Sequence, residues 1–489
     1  MSSIAPGWEA VIGIEVHVEL LTESKMFCGC PARFGGEPNT NVCPTCLGLP
    51  GALPVPNRTA IEWISRIGLA LNCEISPVSV FHRKNYFYAD LPKNYQISQF
   101  DIPVCHDGWL EVAVDGELVR VGIERAHQEE DTGKSIHVGG GGRIHSATET
   151  LLDFNRSGVP LVEIVSKPDI RSAAQARAYA QELRGVILEL GVSDAKLEEG
   201  SMRFDANISV RKTGAPEFGT KVEIKNMNSF RSLERAIAHE IDRQVSVLES
   251  GGRIVQETRH WEEEAGVTQA MRTKEGSSDY RYFTEPDLVP MVIDEAWLDA
   301  QRAVMPELPA QRRARYRAMG LEVHAAEVLT DSDPAIRRLF ADTVAAGAEP
   351  KAAAVWSTGE VTGWLRKNAT SLDRIPLTGT DLAELVAMIG SGAVSSTAAK
   401  DVLNGMMRGE GSAASVAASR DLLQVSDTVA LAAAVDEVLA ANPDAIDRFR
   451  AGESKVVGFL VGQVMRSTGG KADPQLVNRL LADRLASSP

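Results

Sequence analysis

The stretch Val11-Ile-Gly-Ile-Glu-Val-His-Val-Glu-Leu20 constrains the fold more than any other in the chain. Its alternation has a period of two, so it reads as a β-strand with Ile12, Ile14, Val16, Val18 and Leu20 on one face. The opposite face carries Glu15, His17 and Glu19. Two carboxylates and an imidazole in a row are costly to desolvate, so that face either looks at water or holds a positive guest. A metal ion is the guest to test.

Cysteine placement gives the second constraint. Cys28, Cys30, Cys43 and Cys46 lie close together, while Cys73 and Cys105 stand apart. Two close pairs bracketing a loop have the spacing of a tetrahedral Zn site, and Cys43-Pro-Thr-Cys46 has the two-residue spacer of a zinc knuckle. Four free buried thiols are the alternative. The loop is rich in glycine and proline, and a backbone of that composition does not order itself.

Farther on, helices are expected from about 58 to 71, 172 to 190 and 229 to 250, each with an apolar stripe. Asp115-Gly116 signals a hairpin. The run from Phe81 to Ser98 interleaves Arg83, Lys84 and Lys93 with Tyr86, Phe87, Tyr88 and Tyr95, a composition suited to phosphates and stacked bases. Three acids, Glu129, Glu130 and Asp131, end a strand and lead to a glycine-rich loop, Gly139 to Gly142. Glu163 sits among apolar strand neighbours, where a carboxylate needs an arginine or a metal beside it. Stretches 198–209 and 221–230 read as strands with polar edges. The first part is therefore α+β, with strands framing a charged cleft.

Beyond residue 292 the sequence becomes alanine-rich and helical. The boundaries expected are 1–292, 293–409 and 410–489, giving an α+β domain, an all-α domain and a small all-α tail. The whole chain of 489 residues has a formal charge of −15, which argues against indiscriminate nucleic-acid binding. From Arg448 onward, however, seven basic residues face three acidic ones, so a nucleic-acid contact is permitted there, around Arg466 and Lys471. The N-terminus lacks the basic start of a signal peptide and no apolar run is long enough to span a bilayer, which leads to the expectation of a cytoplasmic protein with no membrane partner.

Several of these stretches together resemble one family. Gly13-Ile-Glu-Val-His-Val, Cys43-Pro-Thr-Cys-Leu-Gly-Leu-Pro-Gly, Arg83-Lys-Asn-Tyr-Phe-Tyr, Glu129-Glu-Asp, Glu199-Gly-Ser-Met-Arg, Glu223-Ile-Lys-Asn and Asp279-Tyr-Arg-Tyr-Phe are similar to the B subunits of aspartyl/glutamyl-tRNA(Asn/Gln) amidotransferases. The resemblance extends to Gly469-Gly-Lys-Ala-Asp-Pro-Gln-Leu-Val-Asn478. Gln128 stands where the family pattern is aliphatic, and Phe204 where it is small or cysteine.

The resemblance implies a cradle-shaped catalytic domain, a helical domain and a tail that binds tRNA. It also implies a reaction: ATP phosphorylates the side-chain carboxylate of misacylated Glu-tRNA(Gln) or Asp-tRNA(Asn), and ammonia displaces the phosphate. The ammonia comes from a separate amidase (glutaminase) chain, the A subunit, and a small C subunit completes a heterotrimer. Phosphoryl transfer relies on charge neutralisation, and Mg2+ takes hard oxygen ligands. Glu15, Glu130 and Glu163 suit such an ion, with His17 as a minor ligand, and these four are the expected catalytic group. Lys84 and Arg156 are the expected phosphate clamps, and Arg203, Asp205 and Asn207 the expected liners of the nucleotide cleft. Zn2+ is expected at Cys28, Cys30, Cys43 and Cys46. Two other classes compete: a tRNA-binding scaffold without activity, and an ATP-dependent ligase acting on a free amino acid. Neither explains the sequence as well. A scaffold does not require the four polar residues to converge, and a free-amino-acid ligase has no use for a long helical extension with a basic end.

Overall fold

The alternation at the N-terminus produces the strand it predicts, and that strand lies inside the largest sheet of the computed structural model. The structure describes residues 4–139, 147–271, 280–424, 428–450, 453, 455–469 and 472–487. Residues 140–142 of the glycine-rich loop, Asp279 and Lys471 lie outside the described residues. In chain order the strands of the large sheet are β1 (Trp8–Glu19), β2 (Glu74–Ile75), β3 (Cys105–Val114), β4 (Glu117–Glu130), β5 (Pro160–Ser166), β6 (Met202–Lys212), β7 (Val222–Lys225), β8 (Thr258–Glu262) and β9 (Val267–Ala270). Their spatial order is β9-β8-β7-β6-β1-β5-β4-β3-β2, antiparallel throughout except where β7 meets β8.

β1 therefore has a partner on each side, β5 and β6. Its apolar face is sealed: Ile12, Ile14, Val16 and Val18 are inaccessible to solvent. They pack on the stripes of α1 (Arg58–Ala70), α2 (Ala173–Leu190) and α3 (Phe230–Glu249), which supply Ile64, Leu183 and Ile237 to the same core. Side chains at each N-cap, Asn57, Ser172 and Ser229, accept a hydrogen bond from the first turn of its helix. The hairpin between β3 and β4 turns through Asp115 and Gly116, both at positive φ as a two-residue loop of this type requires.

The polar face of β1 is aligned by register. His17 is opposite Glu163 on one side and Arg203 on the other, and Glu163 is in turn opposite His127. One line across four strands thus reads Arg203, His17, Glu163, His127.

The chain divides into two compact units, Met1–Pro309 and Ala310–Pro489. The expected first boundary at 292 falls short because α4 (Glu295–Arg302) belongs to the first unit. Leu298 enters the sheet core, the Trp297 indole lies 3.3 Å from Ser65, and Gln301 accepts a hydrogen bond from Arg66. The second unit is helical. Within it, one core holds Leu382, Val402 and Leu403 together with Ala413, Val416 and Ala417, so the expected division at 409 cuts through a packed layer. The last core, from Leu431 to Leu485, is separate from it and includes Leu460 and Val464. Among the described residues no helix is long and apolar enough to cross a membrane.

Candidate active site and metal centres

Alternation in β4 decides the centre of the polar face. Counting back from Glu130, the residues that share a face with Glu163 are His127 and Glu129, not Glu130. Ligand atoms of His17, Glu129 and Glu163 accordingly lie within 4.8 Å of one another. His17 Nε2 is 3.7 Å from Glu163, and Lys84 Nζ is 3.8 Å from Glu129. His127 Nε2 stands between the two carboxylates, 3.3 Å from Glu163 and 3.4 Å from Glu129. Burial by itself disfavours an imidazolium there, but the charge of Glu163 and the hydrogen bonds to both acids raise His127 to about 9. Burial would likewise raise Glu163, and the His127 charge outweighs it, taking the carboxyl down to about 2. Glu129 is depressed well below the usual carboxylate range, because Lys84 and His127 overcome its desolvation.

The expected group of Glu15, His17, Glu130 and Glu163 is not assembled as one site. His17 and Glu163 come together, with Glu129 as the third member. Glu15 lies one step along β1, where its carboxylate groups with those of Asp205 and Glu223. Asn207 donates a 2.8 Å hydrogen bond to Glu15, and Lys225 bridges Asp205 and Glu223. Burial, and then the neighbouring carboxylates of Glu163, Asp205 and Glu223, push Glu15 up. Glu130 projects from the opposite face of β4, where it pairs with Lys93 and accepts a 3.0 Å hydrogen bond from the Ile97 amide.

Of the expected clamps, Lys84 faces the three-residue cluster and sits 5.2 Å from the centre of the Tyr280 ring. Arg156 is committed to backbone: it donates to the Thr132 carbonyl at 3.1 Å and the Gly133 carbonyl at 2.9 Å. Arg203 donates to Asp131 at 2.9 Å. Asp131 is thereby held well below its ordinary value against the cost of burial, by Arg203 first and Arg156 second. Glu19 follows Glu15 and His17 on the polar face of β1, and burial followed by repulsion from Asp131 raises it to about 8. A cavity of about 480 Å³ opens beside it, bounded also by Phe34, Asn155 and Arg156.

The four sulfurs of Cys28, Cys30, Cys43 and Cys46 lie within 4.8 Å of one another, and Cys43 and Cys46 are 3.9 Å apart. Zinc–sulfur bonds of about 2.3 Å in a tetrahedron put sulfurs roughly 3.8 Å apart, so the donor set fits zinc in number, type and spacing. The contact with Cys28, the Cys43 amide at 3.1 Å and the charge of Lys25 lower the Cys46 thiol to about 4, against its desolvation. Lys25 is only 1% exposed; its ammonium contacts the Asn41 carbonyl at 2.7 Å, the Phe154 carbonyl at 3.4 Å and Cys46 Sγ at 3.6 Å. The knuckle is thus bonded to the turn that carries Asn155 and Arg156. Asn155 accepts from the Asn41 amide at 2.8 Å, and Ser157 donates to the Cys46 carbonyl.

Models of known protein families match two stretches of the chain. The family model described as the GatB/GatE catalytic domain covers residues 10–299, and that of the GatB domain covers 338–485. The chain belongs to this family. The B subunit of the aspartyl/glutamyl-tRNA(Asn/Gln) amidotransferase from Thermosynechococcus vestitus is 50% identical over 98% of this chain and 96% of that protein. The corresponding B subunits from Moorella thermoacetica and Salinispora arenicola are each 51% identical, covering 98% and 99% of this chain and 100% and 98% of their own lengths.

In this member of the GatB/GatE family, His127 and Lys25 were not singled out by the sequence, and Glu129 and Lys93 stood out only within an acidic and a basic-aromatic run, not as site residues. The signal for His127 and Glu129 was present: a strand ending at Glu130 alternates, so these two face one way and Glu130 the other. Lys25 and Lys93 carry no such signal, because their partners come from loops. The expected liners Asp205 and Asn207 lie with Glu15, and Arg203 lies at the Asp131 end of the same face.

Proposed function

We propose that this chain is the carboxylate-activating component of a tRNA-dependent amidotransferase, converting Glu-tRNA(Gln), Asp-tRNA(Asn) or both to the amidated forms. The observation that carries the reading is the His17–Glu129–Glu163 cluster with Lys84 at its edge, two buried carboxylates beside a half-buried imidazole, within the part of the chain that matches the catalytic-domain family. A carboxylate is a poor acyl donor, because its leaving group would be oxide. Conversion to an acyl phosphate by ATP supplies a competent leaving group for attack by ammonia.

Two carboxylates and one imidazole fit Mg2+, which keeps several positions for water and phosphate and needs few protein ligands. Bound there, the ion would neutralise phosphate charge. The protein's own residues do the remaining work. His127 donates to Glu163 and Glu129 and fixes their orientation. Lys84 brings a positive charge to the side of the cluster where a transferred phosphoryl group needs one. Arg156, fixed by backbone carbonyls and Asp131, frames the entrance rather than swinging onto phosphate. Cys28, Cys30, Cys43 and Cys46 would hold Zn2+ as a structural clip for the wall that carries Asn155 and Arg156. A separate glutaminase chain in a heterotrimer with a small third chain supplies ammonia, the tail beyond the second core contacts tRNA, and the complex works in the cytoplasm.

The test uses the assembled complex with ammonium chloride as nitrogen donor. Glu163→Gln keeps the side chain's size and removes its charge, and should lower amidation of Glu-tRNA(Gln) and tRNA-dependent ATP hydrolysis on the order of a hundredfold or more. A folded Glu163→Gln complex within a few-fold of the unmodified one refutes the assignment. Measuring amidation of free glutamate alongside distinguishes this enzyme from a free-amino-acid ligase, and absence of any amidation favours the scaffold.

A further inference from the structure

We propose that Glu19 reads the free α-ammonium group of the aminoacyl ester, at the wall of the cavity that Glu19 itself lines, two residues along β1 from His17 of the His17–Glu129–Glu163 cluster; this rests on that cluster being the site where the side-chain carboxylate is activated. β1 places His17 and Glu19 on one face, two residues apart, a separation of about 6.8 Å along the strand. In an aspartyl or glutamyl ester, the side-chain carboxyl carbon and the α-nitrogen are joined through three or four bonds of about 1.5 Å, so they lie roughly 4–5 Å apart when extended. A substrate whose carboxylate meets the cluster, and whose backbone runs along β1, presents its ammonium to Glu19.

The cavity suits the part of the substrate beyond the ammonium. Its volume of about 480 Å³ accommodates a nucleoside-sized group. Phe34 on its rim is 76% exposed and offers a stacking face to the terminal base. The ester linkage lies between these two ends of the substrate.

Among the acids lining this cavity, Glu19 is the one left to accept an ammonium. Asp153 accepts from the Asn39 and Asn155 amides. Asp194 accepts from the Ser201 hydroxyl and lies 3.4 Å from Lys196, whose ammonium is 3.0 Å from Glu199. Among the described residues no amine, amide or guanidinium hydrogen-bonds to Glu19. Arg156 stands 4.0 Å away with its Nε and Nη2 turned to the Thr132 and Gly133 carbonyls, and Arg203 turns to Asp131. Besides the long ion pair to Arg156, Glu19 hydrogen-bonds with the Asp131 carboxyl, a neighbour of the same kind. A primary ammonium would give Glu19 a charge-assisted hydrogen bond that none of the described residues provides. Glu19 would then be a specificity-determining residue, separating a free aminoacyl ester from an N-acylated one.

The experiment compares Glu-tRNA(Gln) with N-acetyl-Glu-tRNA(Gln) in the assembled complex, with ammonium chloride as donor. The unmodified complex should prefer the free amine by about 10–100-fold in kcat/KM, the range for losing a hydrogen bond between charged groups. In Glu19→Gln the preference should shrink to a few-fold, through loss on the free-amine substrate, and Glu19→Asp should retain part of it. An unmodified complex indifferent to acetylation overturns the proposal. So does a Glu19→Gln complex that keeps the full preference, since that would trace discrimination to the bulk of the acetyl group. Glu163→Gln run in parallel separates the two assignments. Wild-type amidation by Glu163→Gln removes the activation site itself, whereas an inactive Glu163→Gln with unchanged preference in Glu19→Gln removes only the ammonium assignment.

Discussion

His127 shows how a single side chain holds the candidate site together before any ligand arrives. It is buried between Glu129 and Glu163, with Lys84 beyond the first and His17 beyond the second. Because its folded value of about 9 exceeds the ordinary imidazole value, the stability it contributes is complete below about pH 6.5 and disappears as pH rises through about 9. The melting temperature of protein stripped of metal by a chelator should therefore fall by a few degrees across that window, and Glu163 adds nothing to the fall because its own loss comes only as pH drops toward about 2. His127→Gln should flatten the slope; equal slopes in the two proteins would show that the imidazolium is not the origin. A second residue-scale expectation concerns thiols. Cys73 is raised to about 12 and Cys105 is also pushed well up by burial, while Cys46 is lowered to about 4. In metal-free protein at pH 7.5, iodoacetamide should label Cys46 well before Cys73 or Cys105, and mass spectrometry of the peptides checks the order.

At the scale of elements, the strand β1 and the cysteine loop behave oppositely toward mutation. Ile14→Ala removes a fully buried side chain from the sheet core and should cost about 2–5 kcal/mol in chemical denaturation, whereas Glu15→Gln, at the next residue but on the polar face, should cost little stability. A comparable loss for both would mean that the two faces are not energetically distinct. Cys46→Ser should remove stoichiometric zinc and loosen the 153–158 turn, because Lys25, Asn41 and Cys46 all bond to that turn. Elemental analysis showing no zinc in the unmodified protein, together with unchanged melting on substitution, sinks that assignment. These same elements mark how far the sequence could be read. Stripe patterns placed α1, α2 and α3 within a residue of their ends, and the period-two pattern placed β1 within three, since each is set by local alternation between core and solvent. Membership of the candidate cluster was only half legible: His17 and Glu163 come from strands whose faces are obvious, but the choice between Glu129 and Glu130 depends on the phase of β4. Gln128, polar in an apolar setting, is fully buried yet bonded to the Leu161 carbonyl and, through its amide, to Gln99, a pairing that no local pattern announces.

For the molecule as a whole, the proposed division of labour follows the two units. The three-residue cluster, the cavity and the cysteines all lie within Met1–Pro309. Removing residues 428–489 takes away the last helical core while sparing Ala413, Val416 and Ala417 of the preceding one. Ammonia-dependent turnover at saturating Glu-tRNA(Gln) should then stay within a few-fold, while KM for tRNA rises and its salt dependence weakens. An unaltered KM would take tRNA contact away from the tail. A cut at 410 should be worse than one at 428, since it strips the middle core as well, and comparing the soluble yield of the two truncations checks that.

The central position of β1 also has a temporal side. A strand made first must wait for both of its neighbours, and the later of them, β6, ends at Lys212. At roughly 5–20 residues per second on the ribosome, the apolar face of β1 spends on the order of 10–40 seconds without its complete sheet. Nascent chains stalled before residue 160 should therefore engage chaperones and be cut readily by protease near the N-terminus, and chains released after the first unit is complete at Pro309 should not.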